Sequence, residues 1–209
     1  MRVVLAGFGP FPGAPVNPSA ALARALARRR RPALATLDRT VHVFATEYAA
    51  VDRDMPKLFE QKPDVVLIFG LAGRRRHISI ETRARNAVSR LFPDAGGSRS
   101  SSGSIEQGGP HALFGHAPFG RLLGAIRPTD ASARLSRDAG RYLCNYAYWR
   151  ALQRSPRGRP LVQFIHIPAV QRNPRPRRSV SIKGHTPSLP QLLAAAERLL
   201  IALAAASKH

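Results

Sequence analysis

The sequence predicts an α/β protein, a three-layer α/β/α sandwich around a mainly parallel central sheet. Three observations carry this. Short apolar strands alternate with helical stretches along the chain. Two of those strands, "DVVLIFGLAG" (64–73) and "PLVQFIHIPA" (160–169), are apolar almost throughout, the pattern of parallel strands buried on both faces. The final stretch, "SLPQLLAAAERLLIALAAAS" (188–207), sets Leu189, Leu192, Leu193, Ala196, Leu199, Leu200 and Leu203 at the i, i+3, i+4, i+7 spacing of an amphipathic helix.

The elements follow in order. "RVVLA" (2–6) is a short strand ending at Gly7. "VNPSAALARALARRRR" (16–31) is a helix, with Asn17 as cap, Pro18 at the first helical position, and Leu22 and Leu26 on one face. "RTVHVFAT" (39–46) is the second strand, and "YAAVDRDMPKLFEQ" (48–61) a helix kinked or restarted at Pro56. After the buried strand 64–73, "HISIETRARN" (77–86) alternates as a further strand. The Gly/Ser-rich residues 94–110 read as a mobile surface loop. "PFGRLLGAIR" (118–127) is a short helix started by Pro118, and "SRDAGRYLCNYAYWRALQ" (136–153) a helix with a loosely defined beginning. Residues 170–184 hold too many prolines for a helix. With no internal repeat and no domain-sized linker, residues 1–209 are expected to form one domain.

Composition narrows the function. The 209 residues, 44% hydrophobic, suffice for one sizeable core. A single cysteine excludes a disulfide framework and any multi-cysteine zinc site. "MRVVLAGFG" is too short an apolar run for a signal peptide, and no stretch reaches about 18 apolar residues, so a cytoplasmic location and no membrane partner are expected. The net charge of +21 invites a polyanion, but the arginines are scattered from Arg24 to Arg198 without interleaved aromatics, and no specific nucleic-acid partner is expected.

The candidate chemistry starts from Cys144, which is either a small buried hydrophobe or a nucleophile. A nucleophilic thiol needs a base, and the base needs an orienting acid. His166 ends the strand "LVQFIHIP", at the sheet edge where α/β proteins bind ligands. Glu81 ends "HISIE"; its ordinary alternative is a surface bridge to Arg83 or Arg85. The turn "GFGPFPG" (7–13) sits where a dinucleotide loop would, but Pro12 replaces the third glycine and the prolines remove backbone donors. Phe8 and Phe11 instead offer two rings to enclose a small flat group, or are core aromatics.

Four blocks taken together resemble the pyroglutamyl peptidase I family of cysteine exopeptidases. "LAGFGPFPGAPVNPS" is similar to its N-terminal segment, "LIFGLAGRRRHISIETRARN" to its glutamate segment, "SRDAGRYLCNYAYW" to its cysteine segment and "FIHIPA" to its histidine segment, all in the family's order. The resemblance implies an α/β/α sandwich that removes N-terminal pyroglutamate from peptides without a metal or organic cofactor. It implies Cys144 as nucleophile, His166 as general base and acid, and Glu81 as the residue that orients the histidine. Phe8 and Phe11 would sandwich the lactam, and Asn17 would bond it or brace the turn. Backbone groups near Leu71 and Tyr142–Leu143 would meet the ring's N–H and C=O. The family includes monomers and larger assemblies, so a homo-oligomer is admitted.

The chain departs from the family at two places. Leu71 stands where the family has glutamine, and in "SRLFPD" Leu91 stands where it has arginine, so Arg90, Arg83 or Arg85 would have to support the oxyanion or a neighbouring loop. The basic, proline-rich "RNPRPRRS" beyond His166 predicts a rim that favours acidic peptides. Two other readings stay open: a diverged member that cleaves another blocked N-terminus or binds without turnover, and a basic nucleic-acid-binding protein on the same scaffold.

Overall fold

Strands built from β-branched and aliphatic residues form the centre of the molecule, and the described helices cover both faces. The computed structural model describes residues 1–11, 13–170 and 186–208; the proline-rich expectation for 170–184, apart from Val170, and Pro12 of the aromatic turn lie outside them. Strands β1 (Arg2–Phe8), β2 (Asp38–Phe44), β3 (Val65–Leu71), β4 (Ile78–Glu81), β7 (Ala133–Ser136) and β8 (Leu161–Ile167) form one six-stranded sheet in the order β2-β1-β3-β8-β4-β7. β2, β1, β3 and β8 are parallel; β4 runs antiparallel to β8 and parallel to β7. A separate antiparallel pair joins β5 (Arg83–Arg85) to β6 (Ala112–Phe114).

Alternation along the strands sorts the core into two layers. On one face Val3, Leu5, Val65, Leu67, Ile165 and Ile167 pack against α1 (Pro18–Arg28), α3 (Phe119–Ile126) and α5 (Leu189–Ala206). On the other, Val4, Ala6, Val66, Ile68, Val162 and Phe164 pack against α2 (Tyr48–Glu60) and α4 (Leu143–Gln153). The predicted three-layer α/β/α sandwich with a mainly parallel sheet is therefore the observed one.

Several local expectations are corrected. The helix expected over 136–153 begins only at Leu143, because Gly140 takes a left-handed backbone (φ 85°) that no helix can pass through, and 133–136 is the edge strand β7. The single strand expected over 77–86 is two strands in different sheets, turned at Thr82, whose N–H and Oγ1 both donate to Ser136 O. α2 runs unbroken through Pro56. The Gly/Ser-rich segment 94–110 is irregular, as expected; Asp94 in it accepts from the N–H groups of Tyr48, Gly96 and Ser98, and Asn86 accepts from those of Ile105 and Glu106. α5 has the length and mean hydropathy (1.5) of a membrane span, which the sequence was not expected to contain. Its Leu192, Leu199, Leu200 and Leu203 are buried in the core, and Glu197 pairs with Arg29 and Arg31. A Ser188–Gln191 capping box fixes its start.

Candidate active site

The site grows out of one row of the sheet. In that row Gly70 of β3 lies beside His166 of β8, and Ser79 of β4 lies on the other side of His166. Directly opposed residues of neighbouring strands share a face, and the diagonal neighbour two positions on is still within reach of long side chains. Glu81 is that diagonal neighbour. Its Oε1 accepts from His166 Nδ1 at 2.8 Å, and both side chains are buried, Glu81 completely and His166 to 5% exposure.

One further contact holds the carboxylate, and two more hold the residue's backbone. Arg75 Nη1 donates to Glu81 Oε1 at 2.7 Å, and the same guanidinium donates through Nη2 to Asp138 O at 2.7 Å. The Glu81 backbone carbonyl accepts from Tyr148 Oη and Gln163 Nε2, each at 3.0 Å. Glu81 is therefore not the exposed partner of Arg83 or Arg85 that composition alone allowed. Burial opposes its charge, yet hydrogen bonds from His166, Ser136 and Arg75 hold its pKa below the ordinary carboxylate value.

Cys144 arrives from the opposite side, as the second residue of α4. Tyr142 occupies the cap position in extended conformation. The N–H groups of Leu143 and Cys144, as at any helix start, have no carbonyl one turn earlier to bond. The thiol thus sits within the first turn, where the helix dipole acts, rather than deep inside a helix begun at Ser136. The missing Cβ of Gly70 makes room for it: a methyl there would stand 2.9 Å from Cys144 Sγ. Burial disfavours the cationic imidazole of His166, but Cys144 and Glu81 outweigh it and raise its pKa to about 9.

A cavity of about 200 Å³ opens over the thiol, lined by Phe8, Phe11, Asn17, Thr46, Leu71, Ala139, Tyr142, Leu143, Cys144 and His166. All six residues expected to bind substrate are in it. Phe8 is a buried floor packed against Phe44 and Phe164, with ring centroids 5.6 and 6.3 Å apart. Phe11 is a half-buried wall, held by two backbone bonds exchanged with Ala14, and its ring centroid lies 6.4 Å from that of Tyr142. Tyr142 Oη donates to Pro93 O. Asn17 braces the turn: Oδ1 accepts from Ser19 N–H as the cap of α1, and Nδ2 donates to Gly9 O.

None of the three arginines named for oxyanion or loop support lines the cavity. Arg83 Nε donates to Arg137 O and Arg85 Nη2 to Asp138 Oδ1, so both grip the loop that leads to α4 without lining the cavity. Arg90 is exposed and does not line it, and Leu91 is 75% exposed. The residues that sequence reasoning missed are Thr46, Ala139 and Arg75. Thr46 ends the second strand run at the same sheet edge, and its Oγ1 joins Asn17 on Gly9 O. Arg75 carried no distinguishing signal within "RRR" (74–76). Among the described residues, no three His, Cys, Asp or Glu side chains converge as a metal site would require.

This geometry can support attack by a thiol on a carbonyl beside a small, mostly apolar pocket. The family model for pyroglutamyl peptidase matches residues 1–209. The chain is 32% identical to the pyrrolidone-carboxylate peptidase of Thermococcus onnurineus over 153 residues, 73% of this chain and 74% of that protein. It is 33% identical to that of Gloeobacter violaceus over 150 residues, 71% and 72%. A mutant pyrrolidone carboxyl peptidase from Pyrococcus furiosus superposes with a TM-score of 0.84 at 28% identity, covering 99% of this chain and all of that one. Pyroglutamyl peptidase I of Bacillus amyloliquefaciens gives 0.80 at 27% identity, covering 98% and 97%.

Proposed function

The chain belongs to the pyroglutamyl peptidase family and is a peptidase, and from that premise we propose that it removes N-terminal pyroglutamate from peptides by thioester catalysis as a single domain of residues 1–209. The observation that carries this reading is the cavity in which Cys144, at the start of α4, meets the buried His166–Glu81 pair. The same site favours this over the nucleic-acid reading, because a thiol set beside a buried base and acid serves no purpose in holding phosphates.

In this mechanism Cys144 attacks as the thiolate, with the His166 imidazolium as its neighbour. Sγ bonds to the carbonyl carbon that joins pyroglutamate to the next residue, and the carbonyl electrons move onto oxygen. The N–H of Cys144, in the first turn of α4, is the oxyanion's donor. As the C–N bond breaks, His166 Nε2–H gives its proton to the leaving amine. Neutral His166 then takes a proton from water, whose oxygen attacks the thioester. The C–S bond breaks, pyroglutamate leaves, and the thiolate–imidazolium pair is restored. Glu81 stays ionised throughout, fixing the ring through Nδ1.

Specificity follows from the walls. Phe8, Phe11, Tyr142 and Leu143 enclose a small neutral ring. Backbone groups near Leu71 and at Tyr142–Leu143 pair its N–H and C=O, and proline, lacking that carbonyl, leaves a donor unpaired. The test is fluorophore release from a pyroglutamyl amide by reduced protein, with a prolyl amide and Cys144→Ala as controls. Hydrolysis of the pyroglutamyl amide alone, lost in the variant, is the expected result. Full activity in Cys144→Ala overturns the assignment of the nucleophile.

A further inference from the structure

A second cleft, of about 450 Å³, adjoins the first and shares Asn17 and Leu71 with it. Its size falls within the range of small-molecule and peptide side-chain sites, about 300–1,000 Å³. Its walls are apolar, with Val16, Ala21, Leu71, Ala169, Val170 and Leu189 among the residues that line it. Among the described residues that line it, Asn17 alone has a polar side chain, and both ends of that amide are already engaged, by Ser19 and Gly9.

The cleft has a direction relative to the chemistry. β3 and β8 run parallel, with Gly70 beside His166 and Leu71 beside Ile167. The chain leaving β3 contributes Gly73 to the cleft, and the chain leaving β8 contributes Ala169 and Val170. The cleft therefore begins one residue past the row that holds His166. Phe8, Phe11, Tyr142 and Leu143, the walls assigned to the pyroglutamyl ring, are absent from it. During catalysis the leaving amine receives its proton from His166. The peptide beyond that amine continues on the His166 side, away from the ring walls.

We propose that this cleft receives the first side chain of the departing peptide, that it selects an aliphatic side chain over a charged one, in place of the acidic preference read from the basic "RNPRPRRS", and that Leu71, which forms a wall of both cavities, is a specificity-determining residue. The proposal rests on the pyroglutamyl peptidase reading of the neighbouring site. A charged side chain in the cleft loses water and finds no partner among the described lining residues. An aliphatic side chain there loses only apolar contact with water, and its transfer is favourable.

The experiment uses the full, reduced chain with three peptides that differ only in the residue after pyroglutamate: pyroglutamyl-leucyl-glycine, pyroglutamyl-glycyl-glycine and pyroglutamyl-aspartyl-glycine. Release of each free dipeptide gives kcat/KM. The leucyl peptide is expected to exceed the glycyl one by about tenfold, the return on burying one aliphatic side chain, and the aspartyl peptide to fall below both. Val16→Asp, at a residue 63% exposed, and Ala21→Glu, on the exposed lip of α1, each bring the leucyl-to-glycyl ratio toward one. Equal cleavage of the three peptides, or a ratio unchanged in both variants, overturns the proposal and leaves the pyroglutamyl reading standing. No cleavage of any of them overturns that reading, and the proposal with it.

Discussion

Replacing Gly70 by alanine puts one methyl group where the sheet meets the thiol. That carbon would stand 2.9 Å from Cys144 Sγ, and 2.7 and 2.9 Å from Phe164 Cζ and Cε1. Relaxed carbon contacts lie at about 3.5–4.0 Å, so the neighbours must retreat by roughly 0.6–1.3 Å. Phe164 has little room to take up the movement. It is fully buried, with ring centroids 6.3, 5.7 and 5.0 Å from those of Phe8, Tyr148 and His166. Part of the displacement therefore falls on Sγ. Overpacking of this kind costs about 1–3 kcal/mol of stability, and a misplacement of about 1 Å at reacting groups costs about a hundredfold in rate. The assay is kcat/KM on a pyroglutamyl amide beside the urea midpoint of unfolding. Gly73→Ala is the control, because a methyl there meets nothing within 4 Å. A Gly70→Ala protein with unchanged rate and midpoint would refute the argument that the glycine exists to seat the thiol.

Arg75→Met removes one of the two donors on Glu81 Oε1 and the tie to Asp138 O. The expected loss in kcat reaches about a hundredfold, and the acid limb of the kcat/KM profile moves to higher pH because the carboxylate loses a cation that lowers its pKa. Arg75→Lys, which keeps the charge, should recover part of that shift; an unmoved acid limb would reduce Arg75 to a loop brace. The raised pKa of His166 gives stability that is fully present below its unfolded value of about 6.5 and is lost as pH rises through about 9. Melting curves between pH 6 and 10 should show this loss in the parent and show it at lower pH in Cys144→Ala, where the leading charge that raises the pKa is gone. Asn145→Ala removes the acceptor of the Arg85 N–H and the donor to the carbonyls of Arg85 and Ala87, of which the Arg85 carbonyl keeps the Ala87 N–H. It should destabilise by about 1–3 kcal/mol for each group that water fails to reach, read as a fall in the urea midpoint with unchanged slope.

Each sequence signal made legible only the property it reports. Continuous apolar runs report burial on both faces, so β3 and β8 were visible, and with them the sheet edge that carries His166. Of the six pocket residues, Phe8 and Leu71 end β1 and β3, Phe11 and Asn17 lie between β1 and α1, and Tyr142 and Leu143 stand at the start of α4, at the edge where sheet topology directs ligands whatever their chemistry. Strand direction was not legible. Nothing in "HISIE" says that β4 runs against β8, because alternation is the same read either way. The start of α4 was hidden because Arg141 and Tyr142 suit a helix, and only the backbone of Gly140 shows that they precede one. Arg75 was hidden for a different reason: three consecutive arginines differ only in where the loop aims them, which is a tertiary property.

The register of β8 decides whether there is a site at all. Along "LVQFIHI", Val162, Phe164 and His166 face α2 and α4, while Leu161, Ile165 and Ile167 face α1, α3 and α5. Shifting the strand by one residue would turn the imidazole into the aliphatic layer and put isoleucine under the thiol. Seven paired positions with β3 and three with β4 oppose that slip. Refitting Ile165 and Ile167 into the other packed layer opposes it too, because overpacking a core costs about 1–3 kcal/mol. The same apolar packing that holds the sheet therefore holds His166 and Glu81 on one face, at hydrogen-bond distance, whatever residue α4 presents. This is why Cys144→Ala should keep the His166–Glu81 contact while removing the chemistry: the pair is fixed by the strands and the thiol is brought to it by the helix.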